Sequence, residues 1–116
     1  NYAINIDEVA EALIKNITAK KNILLIIKEA VNNAVKYSNA SDVAVSIKKM
    51  DEHICVQVAD DGKGFDAAAE KIKGDGLSNM QKRTEELKGI FEITSAPGKG
   101  CTISALLPIP IISDTA

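Results

Sequence analysis

Tryptophan is absent from these 116 residues, aromatic side chains make up only 3%, and the chain holds one His, two Cys and three Pro. Each shortage excludes a class of function. With 14 basic residues against 16 acidic ones and so few rings, a nucleic-acid surface of basic patches and stacked bases is not expected. His53, Cys55 and Cys101 cannot supply the ligand spacing of a zinc site. Both cysteines lie in apolar runs and read as buried free thiols of a reducing compartment. No run of about 18 uncharged apolar residues exists, so no membrane-spanning helix is expected. Seven Gly and three Pro exclude collagen-like or low-complexity sequence, and 46% apolar residues exclude intrinsic disorder. What is present suits one domain over residues 1–116, with core enough for one hydrophobic centre. The chain opens at Asn1 rather than Met and shows no signal peptide, so it reads as a fragment of something longer.

Periodicity divides the chain into alternating helices and strands. Tyr2 to Ile6 is predicted as an edge strand, with Asp7 capping a short helix that runs to about Lys15. From about Lys20 to Ser38, Ile23, Leu24, Ile27, Ala30, Val31, Ala34 and Val35 recur at three- and four-residue steps and predict a long amphipathic helix. Val43, Val45 and Ile47 alternate with polar neighbours, and Ile54, Val56 and Val58 do the same beyond an Asp51-Glu52 tip. This is an antiparallel hairpin. A glycine-rich corner and a short Ala- and Lys-rich stretch lead to a second amphipathic helix from about Leu77 to Lys88, with Gly89 as its C-terminal cap. A last hairpin pairs Ile90 to Ser95 with Cys101 to Leu107, ended by Pro108. The expected fold is α+β: a two-layer sandwich with a mixed, mostly antiparallel sheet and its helices on one face.

Three local patterns carry chemistry. Glu29 and Asn33 are one turn apart on the long helix and Lys36 extends the same face, so a carboxylate, an amide oxygen and an ammonium point one way. The amide oxygen suits Mg²⁺, the ammonium suits phosphate, and the carboxylate can act as a base. An ordinary solvated helix face would also give this pattern. Asp60-x-Gly62-x-Gly64 follows a buried strand, where a carboxylate can accept from an exocyclic amine and glycines let backbone pass close to a flat ligand. A plain Asp-Gly turn is the simpler alternative. Gly74-x-Gly76-Leu77 opens a helix whose bare amides could hold phosphate. Neither corner fits the dinucleotide pattern of three spaced glycines, and no Gly-x-x-x-x-Gly-Lys phosphate loop occurs.

In order, Glu29-x-x-x-Asn33, Asp60-x-Gly62-x-Gly64, Gly74-x-Gly76-Leu77 and Gly98-x-Gly100-x-Thr102 make a constellation far more specific than any member. From about Leu24 to Pro108 the chain resembles the catalytic, ATP-binding domain of bacterial sensor histidine kinases. The wider family is the GHKL group of gyrase, Hsp90, histidine kinase and MutL ATPases, which share the Bergerat fold. The run Gly76-Leu77-Ser78-Asn79-Met80-Gln81-Lys82-Arg83 resembles the short-lid subfamily related to nitrate and membrane-fluidity sensors. Asp75 stands where that subfamily often carries His, and the aromatic-containing lid motif of larger kinases is missing.

The resemblance implies ATP and Mg²⁺ as cofactors, under a flexible lid. It makes Glu29 the catalytic residue that polarises the attacking group, Asn33 the Mg²⁺ ligand and Lys36 a phosphate contact. Asp60, with Gly62 and Gly64, receives the adenine amino group; Gly74, Gly76 and Leu77 meet the phosphates; Thr102 assists Asp60 at adenine. It further implies a separate dimerisation domain bearing the acceptor His, and a response regulator downstream. Localisation would be a cytoplasmic domain of a membrane-associated protein. His53, opening a strand, is a poor acceptor. Two rival readings share the residues: an anti-sigma-factor-type serine kinase of the same fold, and a module that senses ATP without transferring phosphate.

Overall fold

A computed structural model describes residues 2–36, 41–62, 76–95, 98 and 100–115. The helix-prone stretch expected between the two glycine corners lies outside them. Strands β1 (Tyr2–Ile6), β2 (Val43–Met50), β3 (His53–Asp60), β4 (Ile90–Ser95) and β5 (Cys101–Pro108) form one sheet in the order β1-β2-β3-β5-β4. β1 runs parallel to β2, and the other three pairings are antiparallel. The mixed sheet thus carries the expected edge strand in β1.

Strand alternation decides which face is covered. Val43, Val45 and Ile47 of β2, Ile54, Val56 and Val58 of β3, and Cys101, Ile103, Ala105 and Leu107 of β5 are all buried. Ladder partners such as Val45 and Val58, or Val58 and Ile103, share a face, so these side chains form one apolar floor. Helices α1 (Glu8–Leu13), α2 (Ile17–Lys36), α3 (Gly76–Glu86) and α4 (Ile109–Ile112) supply the covering layer. This is the expected α+β sandwich.

α2 begins at Ile17, earlier than the apolar pattern suggested, because Asn16 caps it. Its Oδ1 accepts from the Ala19 N–H at 2.9 Å, and its Nδ2 donates to the Asp114 carbonyl at 2.7 Å. The backbone N–H groups of Lys15 and Asn16 both donate to the Ile112 carbonyl, so the C-terminal turn α4 fastens the start of α2. Ala19, Ile23, Ile26, Ala30 and Ala34 face the sheet, whereas Leu24 is 66% exposed and Val35 50%. The helix is apolar around more of its circumference than the sheet can cover. Only the central stripe is buried.

α3 stops at Glu86 and the chain turns through Lys88, whose φ of 60° takes the left-handed position expected of Gly89. Gly89 is required for a different reason. A Cβ there would run into the Leu106 carbonyl and the Leu107 side chain of β5.

Candidate nucleotide site

Of the expected site residues, Glu29 and Asn33 lie on α2, Gly76 and Leu77 on α3, and Asp60 at the end of β3. Asn22 Nδ2 near the start of α2 donates to Glu86 Oε2 at the end of α3, at 3.1 Å. Further along, Leu25, Lys28 and Glu29 of α2 and Asn79, Met80 and Arg83 of α3 line a cavity of about 160 Å³. The two helices are therefore antiparallel. Asn33, about three turns beyond Asn22, falls level with the first turn of α3, which lies about three turns back from Glu86. At that level Gly76 and Leu77 open α3. Leu77 is half-buried against the core.

Asp60 reaches the same region along the sheet. Ala30 and Ala34 of α2 share a buried cluster with Val43, Val58 and Cys101, so the second half of α2 covers the end of β3 that carries Asp60. Alternation places the Asp60 side chain on this helix-covered face, in phase with Ile54, Val56 and Val58. Its Oδ1 accepts from the Gly62 N–H at 2.8 Å, which restrains rotation of the carboxylate. Glu29, Asn33 and Asp60 are each half-buried, accessible to a ligand yet held by packed elements.

Thr102 departs from expectation. On β5 it stands opposite Ala59, and the residue opposite Asp60 is Cys101. Thr102 therefore projects from the face of the sheet away from the helices, and Cys101 from the face of Asp60. Burial pushes the Cys101 thiol up to about 11, with the Asp60 charge adding to the shift and a bond from Ser95 opposing it. At neutral pH this group is a protonated thiol. Lys36 closes α2 with its side chain outside the described residues, and Gly64 and Gly74 lie outside them too.

Asp61, which no motif singled out, and Gly100 of the last glycine motif both stand beside Asp60. Asp61 Oδ1 accepts from the Ser41 and Asp42 N–H groups at 2.9 and 2.8 Å, and the Asp61 N–H donates to the Asp42 carbonyl at 3.2 Å. The Asp42 N–H bond is the main cause holding its carboxyl below the usual range. Gly100, with φ of 75°, passes against the Asp60 carbonyl so closely that a Cβ would overlap it. The Asp-Asp pair and the glycine were visible in the sequence; their meeting was not.

Among the described residues no group of three or more His, Cys, Asp or Glu side chains could cage a metal. Mg²⁺ typically takes one or two protein oxygens and completes its shell with phosphates and water. A single Asn33 amide oxygen level with a helix start fits that mode of binding.

Comparison with known proteins bears on the family and the fold. Residues 18–111 match the family described as histidine kinase-, DNA gyrase B-, and HSP90-like ATPase. The sensor histidine kinase LiaS of Bacillus subtilis is 36% identical over 84 residues, covering 72% of this chain and 23% of LiaS. Sensor protein VraS of Staphylococcus aureus is 32% identical over 84 residues, covering 72% of this chain and 24% of VraS. The chain thus spans about a quarter of the length of these curated relatives. A blue-light activated histidine kinase from Erythrobacter litoralis superposes with a TM-score of 0.80 at 19% identity, covering 97% of this chain and 35% of that one. The ATP binding domain of PrrB from Mycobacterium tuberculosis gives 0.66 at 21% identity, covering 76% of this chain and 67% of that one. These two likenesses establish the fold.

Proposed function

Because the chain belongs to the histidine kinase-, DNA gyrase B- and HSP90-like ATPase family, we propose that it is the ATP-binding catalytic domain of a two-component sensor histidine kinase. It donates the γ-phosphate of Mg-ATP to a His on a separate dimerisation domain, from which a response regulator takes it. The observation that supports this reading is the antiparallel packing of α2 on α3, with Glu29 beside Asn79, Met80 and Arg83 and Asn33 further along α2 towards the level where α3 opens.

In this reading Asp60 accepts the adenine amino group, a contact that guanine, with a carbonyl there, cannot make. Gly62 and Gly64 let the backbone lie close to the base. The amides opening α3 at Gly76 and Leu77, with Gly74 before them, hold phosphate oxygens, and Lys36 adds a cation. Asn33 supplies an oxygen to Mg²⁺, which neutralises phosphate charge when bound. Glu29 takes or orients the proton of the attacking imidazole. Cys101 rather than Thr102 borders the adenine side. His53 is no acceptor for this site: it lies at the opposite end of β3, seven residues and about 23 Å from Asp60. The full-length protein is membrane-associated, with this domain in the cytoplasm. No helix among the described residues is long and apolar enough to cross a membrane.

Incubation with labelled Mg-ATP tests the reading. Alone, the chain should not label itself, because the acceptor must meet the γ-phosphate in line. Given the dimerisation hairpin of its own full-length protein, it should place acid-labile phosphate on that hairpin's His. Acid-stable phosphate on a partner serine would instead identify the anti-sigma type of kinase, and binding without any transfer would identify an ATP sensor.

A further inference from the structure

β3 ends at Asp60, where ladder pairing stops and a strand would ordinarily fray. Here the end is held from two sides. From the β2 side, the Asp61 carboxylate receives the N–H groups of Ser41 and Asp42, and the Asp61 N–H returns a bond to the Asp42 carbonyl. From the β5 side, Gly100 lies against the Asp60 carbonyl with no room for a side chain, in a backbone conformation that favours glycine. Between these two contacts Asp60 turns one carboxylate oxygen back to the Gly62 N–H.

The geometry points to Asp61 and Gly100 as positioning residues for purine recognition: a carboxylate clamp and a bare Cα that together fix where the Asp60 carboxylate stands. This rests on the reading of Asp60 as the adenine acceptor. The physical argument concerns placement rather than stability. Asp61 is exposed, so water competes for its bonds and their net contribution to folding is small. A recognition carboxylate is more demanding, since a hydrogen bond weakens steeply as its distance and angle leave the optimum. The clamp also joins the 41–42 corner, where the chain enters β2, to the strand end that carries Asp60. It ties two separate stretches of chain at the base-binding end of the site.

The test is the ratio of ATP to GTP affinity, measured by calorimetry with Mg²⁺ on the 116-residue chain and variants, with thermal unfolding followed in parallel. Asp61→Ala should lower that ratio about tenfold at a temperature where it remains folded, the scale of one hydrogen bond to a charged group. Asp61→Asn should restore it to within about threefold, since the amide oxygen has two lone pairs and can accept both N–H groups. A purely structural role would lower the melting temperature and leave the ratio alone; that result overturns the proposal. Should Asp61→Ala fail to fold, Asp61→Ser keeps one acceptor and should give an intermediate ratio, and a wild-type ratio there overturns the proposal equally. Asp60→Ala is the control. If wild type does not discriminate, or Asp60→Ala discriminates as well as wild type, the reading of Asp60 has failed and the positioning role falls with it. If Asp60→Ala loses discrimination and Asp61→Ala does not, only the positioning role has failed.

Discussion

Asp60 and Cys101 stand directly opposite each other on β3 and β5, on the face of the sheet that the helices cover, while Thr102 projects from the other face. Nucleotide affinity should therefore be sensitive at Cys101 and insensitive at Thr102. Thr102→Val is expected to change the ATP dissociation constant by less than about twofold, in line with surface substitutions. Cys101→Leu adds volume beneath Asp60 and should weaken binding about tenfold, the scale of a core overpacking cost transferred to the ligand. Calorimetric titration of both variants decides it, and the reverse ranking would return the adenine-side role to Thr102.

The same thiol gives an alkaline signature. Its pKa is raised from 9.0 to about 11 in the folded chain, chiefly by burial. The folded state then holds a proton that the unfolded state releases above about pH 9, so this contribution to stability is intact below pH 9 and is lost as pH rises through about 11. Cys101→Val removes the titrating group. Its urea midpoint should fall less than that of wild type between about pH 9 and 11.

These two residues also show what the sequence could and could not convey. Strand parity within each segment was legible, because Val43, Val45 and Ile47, or Ile54, Val56 and Val58, alternate cleanly. The one-turn spacing of Glu29 and Asn33 was legible for the same reason. Which of Cys101 and Thr102 shares a face with Asp60 depends on the register between strands more than 40 residues apart, and neither local pattern encodes it. The link from Asp61 to Ser41 and Asp42 is likewise non-local. The early start of α2 was obscured by Ile17 and Thr18, β-branched residues with modest helix propensity, although Asn16 was there to cap it. The turn α4, with Ile112 fully buried, was hidden by Pro108 and Pro110, which read as breakers yet suit a helix start.

Gly89→Ala should destabilise the chain by about 1–3 kcal/mol, because the added methyl meets a β5 carbonyl and the packed Leu107 side chain rather than open space. The effect belongs to the fold. Urea unfolding should show it while the ATP-over-GTP ratio stays at the wild-type value. A cost below about 0.5 kcal/mol would mean that the α3–β4 corner can move aside.

Asn33 and Glu29 should fail in different ways. Asn33→Ala removes the amide oxygen assigned to Mg²⁺, so ATP affinity should fall sharply with Mg²⁺ present and change little with the metal chelated. Glu29→Gln should lower the rate of phosphate transfer to the dimerisation hairpin far more than it lowers affinity, since a base acts mainly in the transition state. Paired calorimetry and single-turnover transfer separate the two. Equal loss of affinity in both variants would contradict the division of roles.

Asp61 should leave an acid signature distinct from its effect on base selectivity. Its carboxyl is held below the ordinary value of 3.8, chiefly by the Asp42 N–H, against an opposing desolvation, and further by the Ser41 N–H. A depressed folded pKa means that the unfolded state binds the proton first as pH falls. The contribution is therefore present above about 3.8 and is lost as pH drops through the lower, folded value. Asp61→Asn keeps an acceptor but cannot titrate. Between about pH 5 and 2.5 its urea midpoint should fall less steeply than that of wild type, by a small margin because the group is exposed. Identical slopes would show that the Ser41 and Asp42 bonds do not favour the ionised carboxylate in solution, and the clamp would then have to act through geometry that a neutral side chain supplies equally well.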